Sequence, residues 1–326
     1  MLENVEGPNV ETHELLPSAG SGKELSVGCG TPSRKRFPPM IPALITLVVV
    51  ASLFGLLFVV ERFVPLRATK SELLARLLVN LCFSALAFGV AAMIVRPAAQ
   101  SAMRWGGLEP FSLIHIVPLP AAAQFVVAFL LMDLSFYWWH VLNHRIPILW
   151  RFHNVHHIDP DLDVSTGFRF HFGEVAMSAI FRVVQVALIG ISAPAFATYE
   201  LVFQANTLFH HSNVRLPIRF ERLLNKVLVT PRMHGIHHSQ VQGETNSNYS
   251  VVFPWWDRFH RTLGLNVPQS EIVIGVPGYS THEDGKLVSG LLMPFRKQRD
   301  YWRTPDGKVP RRGTNNGSAN PMRMAE

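Results

Sequence analysis

Residues Ile41–Val60 read IPALITLVVVASLFGLLFVV, twenty residues without a single charged side chain. About twenty apolar residues in a helix are enough to cross the hydrocarbon core of a bilayer. A second apolar run covers Leu77–Val95, and a third covers Leu119–Trp139 and contains one acid, Asp133. These runs predict a membrane protein whose fold is decided by transmembrane helices.

A fourth apolar stretch, Val175–Phe209, is interrupted by Arg182, by a break at Gly190–Pro194 and by Glu200. It is long enough for two helices, and glycine and proline in the break are typical of a turn between them. We therefore expect an all-α fold, an integral-membrane helical bundle of about four to five spans. A histidine-rich cytosolic cap would complete it.

The composition supports a multi-pass membrane protein. Charged residues make up 16% of the 326 residues, whereas an average soluble domain has about 25%. The net charge of +7 comes from basic residues that flank helices or lie between Arg215 and Arg323. That placement marks the cytoplasmic side of a membrane, so we expect no nucleic-acid partner. The two cysteines, Cys29 and Cys82, exclude a disulfide framework and a cysteine-based zinc site.

Twelve of the fifteen histidines lie between His140 and His260. They include HVLNH at 140–144, HNVHH at 153–157, the pair at 210–211 and HGIHH at 234–238. A helix brings side chains three and four residues apart onto one face. One HxxHH turn therefore supplies ligands to one metal ion or bridges two adjacent ions, and both arrangements are open.

Chance is a poor explanation for these motifs, because two independent HxxHH matches have an expected count of roughly a thousandth. Many imidazoles without a cysteine suit iron, zinc or copper. The candidate metal ligands are His140, His144, His153, His156, His157, His210, His211, His234, His237 and His238.

Three further residues are candidates for a supporting role. Asp133 lies seven residues before His140, on the same helix face. It either accepts a hydrogen bond that orients His140 or makes a polar contact between helices. His171 and Glu174 either contribute a ligand or an outer carboxylate, or cap the entry of a helix, which we prefer slightly.

The order of these motifs resembles the fatty acid hydroxylase/sterol desaturase superfamily of integral-membrane di-metal oxygenases. The flanking sequence is similar over roughly residues 130 to 264, including DLSFYWWH at 133–140, TPRMH at 230–234 and WDR at 256–258. The sequence of these segments is most similar to that of bacterial members known as sterol desaturases. The resemblance implies a helical membrane bundle with a cytosolic domain that holds two iron ions, which zinc can replace during purification.

On the family pattern, the histidines of the first, second and fourth motifs carry over as ligands. In the third motif either His210 or His211 is implied, and the continuation H-S-N favours His211. Phe172 departs from the pattern, because many relatives have proline after the histidine that matches His171.

The activity implied by the resemblance is O₂-dependent hydroxylation or desaturation of a C–H bond in a membrane lipid, with electrons from a separate redox protein. We expect the catalytic face to be cytoplasmic. An intramembrane zinc hydrolase is the competing enzyme class, although the chain lacks an HExxH motif. A haem-bearing electron carrier is the non-catalytic alternative.

Four segments follow from these patterns. We expect a disordered tail over residues 1–36, N-terminal transmembrane helices over 37–120 and the catalytic domain over 121–290. The last segment, 291–326, is basic and is expected to be mostly disordered.

Overall fold

A computed structural model of the protein describes residues 40–106 and 112–312. The expected tail over residues 1–36 therefore lies outside the described residues, as does the end of the C-terminal segment. The chain divides into two units, Met1–Ile41 and Pro42–Glu326, and the site lies in the second.

The described residues form α-helices and short 3₁₀ turns, with two isolated β-bridges and no β-strand among them. The helices are α1 (Met40–Phe63), α2 (Leu73–Val90), α3 (Arg96–Gly106), α4 (Leu113–Ile116), α5 (Ala121–Arg145), α6 (Pro147–His157), α7 (Phe172–Ile189), α8 (Ala193–His211), α9 (Ile218–Leu224), α10 (Pro231–His237), α11 (Gln242–Thr245), α12 (Trp255–His260) and α13 (Leu287–Leu292).

Within residues 40–106 and 112–312, four helical segments are long and apolar enough to cross a membrane. They are Leu44–Phe63, Leu73–Trp105, Ala121–Arg145 and Phe172–Ile189. The second span runs through α2 and α3, which a π-helical turn at Ala91–Val95 joins. The prediction of an all-α membrane bundle is confirmed for the described residues.

The fourth apolar stretch forms the expected helical hairpin. Helix α7 ends at Gly190, whose φ of 74° lies in the left-handed region that glycine adopts without steric cost. A Cβ atom at Gly190 would also collide with the side chain of Ser112. An ion pair of 2.6 Å between Arg182 and Glu200 joins the two helices beyond the turn. Because of this turn, α8 leads back towards the end of α5.

Helices α7 and α8 pack on α5 through aromatic side chains. The ring of Phe136 on α5 lies 5.3 Å from that of Phe181 on α7 and 4.5 Å from that of Phe203 on α8, centroid to centroid. Met132, Val186 and other buried apolar side chains complete this core. The core holds the C-terminal ends of α5 and α8 in fixed register, and both ends carry histidines.

The structure differs from the expected disordered C-terminal segment as far as Arg312. The indole of Trp302 stacks on that of Trp150, with centroids 5.8 Å apart. Met293 is buried, and Arg312 donates to both carboxylate oxygens of Glu244 at 2.8 and 2.9 Å. These aromatic and ionic partners are distant in sequence. The composition of the segment could not reveal them, and taken alone it suggested disorder.

Candidate metal centre

Four helices end at the site, and each carries histidine in its last turn. They are α5, α6, α8 and α10. The C-terminus of a helix carries a partial negative charge, which stabilises a nearby cation. Four converging C-termini therefore favour a positively charged occupant.

Two prolines determine where the short helices α6 and α10 begin. Pro147 and Pro231 are the first residues of these helices, where a missing N–H has no cost. The preceding residues, Ile146 and Thr230, are extended, because a residue before proline avoids the helical region. Each HxxHH motif consequently lies at the end of a short helix whose start is fixed.

The histidines of these helices form two groups, and in each group the candidate ligand atoms lie within 4.8 Å of one another. The five-histidine group contains His140, His144, His153, His157 and His237. The four-histidine group contains His156, His211, His234 and His238.

Each HxxHH motif is divided between the two groups. His153 and His157 enter the five-histidine group and His156 enters the other, whereas His237 is separated in the same way from His234 and His238. At 3.6 residues per turn, positions one and five of such a motif lie about 40° apart around the helix axis. Position four lies on the opposite side of position one from position five. Of the two arrangements left open by the sequence, the structure places each motif between two adjacent groups.

The spacing within the four-histidine group matches neighbouring ligands of one metal ion. Nε2 of His211 lies 3.1 Å from Nε2 of His156 and 3.0 Å from Nε2 of His234. Nε2 of His234 lies 3.1 Å from Nε2 of His238. Two nitrogens bound at about 2.1 Å and at right angles lie about 3.0 Å apart.

Four of the imidazoles are held by an acceptor at Nδ1, at 2.7–2.9 Å. The pairs are His140 with the Tyr249 carbonyl, His153 with Glu174, His211 with the Thr207 carbonyl and His237 with the Ser247 carbonyl. A carbonyl or carboxylate only accepts, so Nδ1 carries the proton and Nε2 presents a lone pair. Metal-ligating histidines are characteristically held in this way.

Most lone pairs of the five-histidine group lack protein partners. Nε2 of His153, His157 and His237 is buried without a hydrogen-bond partner, and neither nitrogen of His144 has one. Leaving a buried polar atom unsatisfied costs about 1–3 kcal/mol. One metal ion would satisfy these atoms together. With the ligand-like spacing of the four-histidine group, the residues present fit a two-metal centre.

The electrostatics of the centre favour the neutral imidazoles of His157 and His237. Burial lowers the pKa of His157 well below its usual value, and the neighbouring His238 lowers it further. Burial also lowers the pKa of His237 to about 3, although the hydrogen bond to the Ser247 carbonyl opposes this. Metal binding requires the deprotonated imidazole, so these side chains are ready to bind without losing a proton.

His210 lies beside the centre but in neither group. Its ring centroid lies 4.1 Å from that of His234, and its Nδ1 lies 3.4 Å from Nδ2 of Asn206. Asn206 in turn donates to the Val251 carbonyl. Of the two candidates in the third motif, the structure therefore places His211 in the four-histidine group and leaves His210 packing against it.

No described contact joins Asp133 to His140. Its buried carboxylate accepts hydrogen bonds from Trp256 Nε1 at 2.8 Å and from the backbone N–H of Phe253 at 3.1 Å. Tyr199 on α8 donates to it at 3.4 Å. Asp133 thus makes the polar contact between helices that we weighed against an orienting role, and it docks the segment before α12.

His171 and Glu174 have different roles. His171 is the N-cap of α7, and its Nδ1 accepts from the N–H of Gly173 at 2.9 Å. Glu174, in the first turn of α7, accepts from Nδ1 of His153. The expected helix cap therefore describes His171, whereas the carboxylate of Glu174 lies behind the ring of His153.

Sequence reasoning did not assign a role at the site to Asp257. Its buried carboxylate accepts from the N–H of Tyr249 at 2.9 Å, the N–H of Ser250 at 2.8 Å and the hydroxyl of Thr262 at 2.6 Å. These bonds fix the backbone of Tyr249, whose carbonyl holds His140. In the sequence, the only signal for Asp257 was that the WDR segment at 256–258 is similar to the family pattern.

Comparisons with known proteins find similarity to lipid hydroxylases. Residues 125–262 match the family described as fatty acid hydroxylase, close to the interval of resemblance in the sequence. The ornithine lipid hydroxylase OlsE of Rhizobium tropici is 30% identical over 55% of this chain and 52% of its own. The alkylglycerol monooxygenase of Danio rerio is 31% identical over 58% of this chain and 41% of its own.

The cholesterol 25-hydroxylase of Mus musculus is 27% identical over 51% of this chain and 59% of its own. The chain thus spans about half the length of these curated relatives. No solved structure matches significantly. These comparisons support the similarity of residues 125–262 to the fatty acid hydroxylase/sterol desaturase superfamily.

Proposed function

We propose that the protein is a multi-pass membrane oxygenase that uses two iron ions and O₂ to hydroxylate a C–H bond of a membrane lipid. The observation that carries this proposal is the division of nine buried or half-buried histidines into two adjacent groups. A mononuclear site would not need two such groups. Iron suits an imidazole-only ligand set, and zinc or copper are the chemically related alternatives.

The five-histidine group would hold one iron and the four-histidine group the other. Bound iron supplies the oxidation of an unactivated C–H bond by O₂, which protein side chains cannot perform. One oxygen atom enters the lipid and the other leaves as water, with two electrons and two protons from a donor. No dinucleotide-binding motif is evident in the sequence, so we assign the electrons to a separate redox protein.

The chain's own residues orient the ligands and exclude water. The acceptors at Nδ1 fix four rings and their protonation, and the converging helix ends stabilise the positive charge. Seven of the nine histidines are buried. Beneath them, the apolar core of α5, α7 and α8 keeps water away from the reacting carbon.

Membrane lipid is the substrate class that fits both the fold and the relatives. Their names refer to ornithine lipid, alkylglycerol and cholesterol, and each name is that of a hydroxylase or monooxygenase. The names favour hydroxylation over desaturation. An active site held by membrane-spanning helices would be reached by molecules dissolved in the bilayer.

The catalytic face is assigned to the cytoplasm on charge. Between residues 215 and 312 the sequence has fifteen lysines and arginines against eight aspartates and glutamates. Basic excess near membrane spans marks the cytoplasmic side. The same excess suits the docking of an acidic redox partner.

The test is product analysis with isotopically labelled O₂. Detergent-purified protein, reconstituted with iron and supplied with a chemical reductant, is incubated with membrane lipid extract. We expect a hydroxylated lipid that carries one labelled oxygen atom and that is absent with the His156→Ala/His237→Ala variant. A product without labelled oxygen and with two hydrogen atoms fewer would show that the protein is a desaturase and not a hydroxylase. A lipid ester or amide cleaved without O₂ by the zinc-loaded protein would overturn the proposal in favour of a hydrolase.

A further inference from the structure

Large apolar side chains are exposed on α9, on the turn after it and on α12. Phe220, Leu223 and Phe259 are 54, 62 and 79% exposed, and Val227 and Trp255 are exposed as well. Soluble surfaces rarely concentrate such side chains. We call residues 215–227 and 253–261 the collar.

The two segments of the collar form one surface. Trp255 Nε1 donates to the Lys226 carbonyl at 2.7 Å, and Arg258 donates to the carbonyl of Asn225 at 2.8 Å. These bonds tie α12 to the turn that follows α9. The exposed apolar side chains of both helices therefore belong to one continuous part of the molecule.

The collar adjoins two candidate spans. At one end, the N–H of Arg215 donates to the carbonyl of Val64, immediately after α1, at 2.8 Å, and Phe63 on α1 is exposed. At the other end, the ring of Phe253 stacks on Trp255 and lies 6.1 Å from that of Phe129 on α5. The apolar surface of the spans thus continues onto the collar.

Trp138 and His260 extend this junction. Trp138 on α5 is exposed, and its ring lies 4.8 Å from that of His260 on α12. Nδ1 of His260 donates to the backbone carbonyl of Trp256 at 2.8 Å. Trp138 lies in the C-terminal part of its span, and exposed tryptophan near a span end is typical of the interface between lipid and water.

The collar is also cationic. Arg215, Arg219, Lys226 and Arg261 are exposed. The sequence between residues 215 and 261 contains three acids, Glu221, Glu244 and Asp257. Glu221 is buried and pairs with Arg232, Glu244 pairs with Arg312, and Asp257 is buried among backbone N–H donors. Fixed positive charge therefore remains at the surface.

We propose that the collar lies in the headgroup layer of the bilayer and binds anionic phospholipids. The exposed rings enter the acyl boundary while the arginines and lysine contact phosphate, as in helices that lie in a membrane surface. The collar flanks the start of α10 and the segment that holds Tyr249. Its attachment would thus fix the depth of the metal-bearing helices relative to a lipid substrate. The proposal holds whether or not the protein carries iron.

The test measures the depth of spin labels in nanodiscs. In a background with Cys29→Ser and Cys82→Ser, a nitroxide is attached at Leu223→Cys or Phe259→Cys, with the exposed Lys308→Cys as the matched control. Collision rates are measured with O₂, which concentrates in lipid, and with a nickel chelate, which stays in water. We expect the ratio of these rates to be several-fold higher at both collar sites than at residue 308.

The anionic component is tested by comparing phosphatidylcholine nanodiscs with and without phosphatidylglycerol. We expect phosphatidylglycerol to raise the ratio at residue 259, and Arg219→Gln/Lys226→Gln/Arg261→Gln to abolish that increase. Helix content by circular dichroism verifies that each variant is folded. The proposal would be overturned if spin labels in the collar collided with the nickel chelate as often as the label at residue 308. Spin–spin broadening that shows a second copy of the chain covering the collar would also overturn it.

Discussion

Oε1 of Glu174 lies 2.9 Å from Nδ1 of His153, and this contact joins the first turn of α7 to the last turn of α6. His153 belongs to the five-histidine group, and its Nε2 is buried without a partner. The carboxylate fixes both the ring and its proton, so that Nε2 presents a lone pair to the centre.

We expect Glu174→Ala to weaken metal binding by about 10- to 100-fold, which is typical when the outer partner of a ligating histidine is lost. Glu174→Gln keeps an acceptor oxygen but not the charge, so its affinity should lie between that of Glu174→Ala and the native protein. Competition with a chelator measures these affinities. Glu283→Gln, at an exposed carboxylate that pairs with Lys286, is the control. Native affinity in Glu174→Ala would show that the contact does not support a metal ligand.

The adjacent histidines of the third motif give a second prediction. We expect His211→Ala to lower the metal content of the purified protein, because it leaves three imidazoles in the four-histidine group. His210→Ala should keep the native content, since His210 lies in neither group. Elemental analysis of the two variants decides between them. The reverse result would assign the ligand role to His210.

Asp257→Asn should destabilise the protein by about 1–3 kcal/mol, the cost of one buried donor without an acceptor. The asparagine amide offers one acceptor oxygen, where Asp257 uses both oxygens on the backbone N–H groups of Tyr249 and Ser250. Thermal unfolding of the metal-free protein measures the change, with the exposed Asp300→Asn as control. We also expect weaker metal binding, because the Tyr249 carbonyl holds His140. Unchanged stability and affinity would contradict this role for Asp257.

Acid should destabilise the metal-free protein. The pKa of His237 is about 3 in the folded chain, below its usual value of 6.5, so the unfolded chain binds the proton first. Stability is therefore fully present above pH 6.5 and is lost as the pH falls towards 3. Each histidine that stays neutral contributes a slope of up to about 1.4 kcal/mol per pH unit. Denaturant unfolding at several pH values measures the slope, and a stability independent of pH between 6.5 and 4 would contradict the burial of neutral imidazoles.

The helices and the shared faces of the candidate histidines were predictable because they depend on local sequence. An uncharged run such as Ile41–Val60 is stable in lipid only if its backbone groups bond within the segment, which a helix achieves. Histidines three and four apart share a helix face whatever surrounds them. The hairpin was also predictable from local sequence, because glycine and proline at Gly190–Pro194 indicate a turn.

The division into two groups and the acceptors behind the ligands depend on tertiary structure. His140 and His153 use different kinds of acceptor, a backbone carbonyl and a carboxylate. Every residue has a carbonyl, so no residue type identifies Tyr249, Ser247 or Thr207 as partners. The contacts of Asp133 were equally hidden, because they join α5 to a segment about 120 residues later.

The number of metal ions per chain tests the central claim most directly. The native protein, purified in detergent and supplemented with iron, is compared with His156→Ala/His238→Ala, which removes two imidazoles from the four-histidine group and none from the other. We predict about two ions per native chain and about one in the variant. No specific metal in the native protein, or loss of all metal in the variant, would contradict two separate histidine-held metal sites.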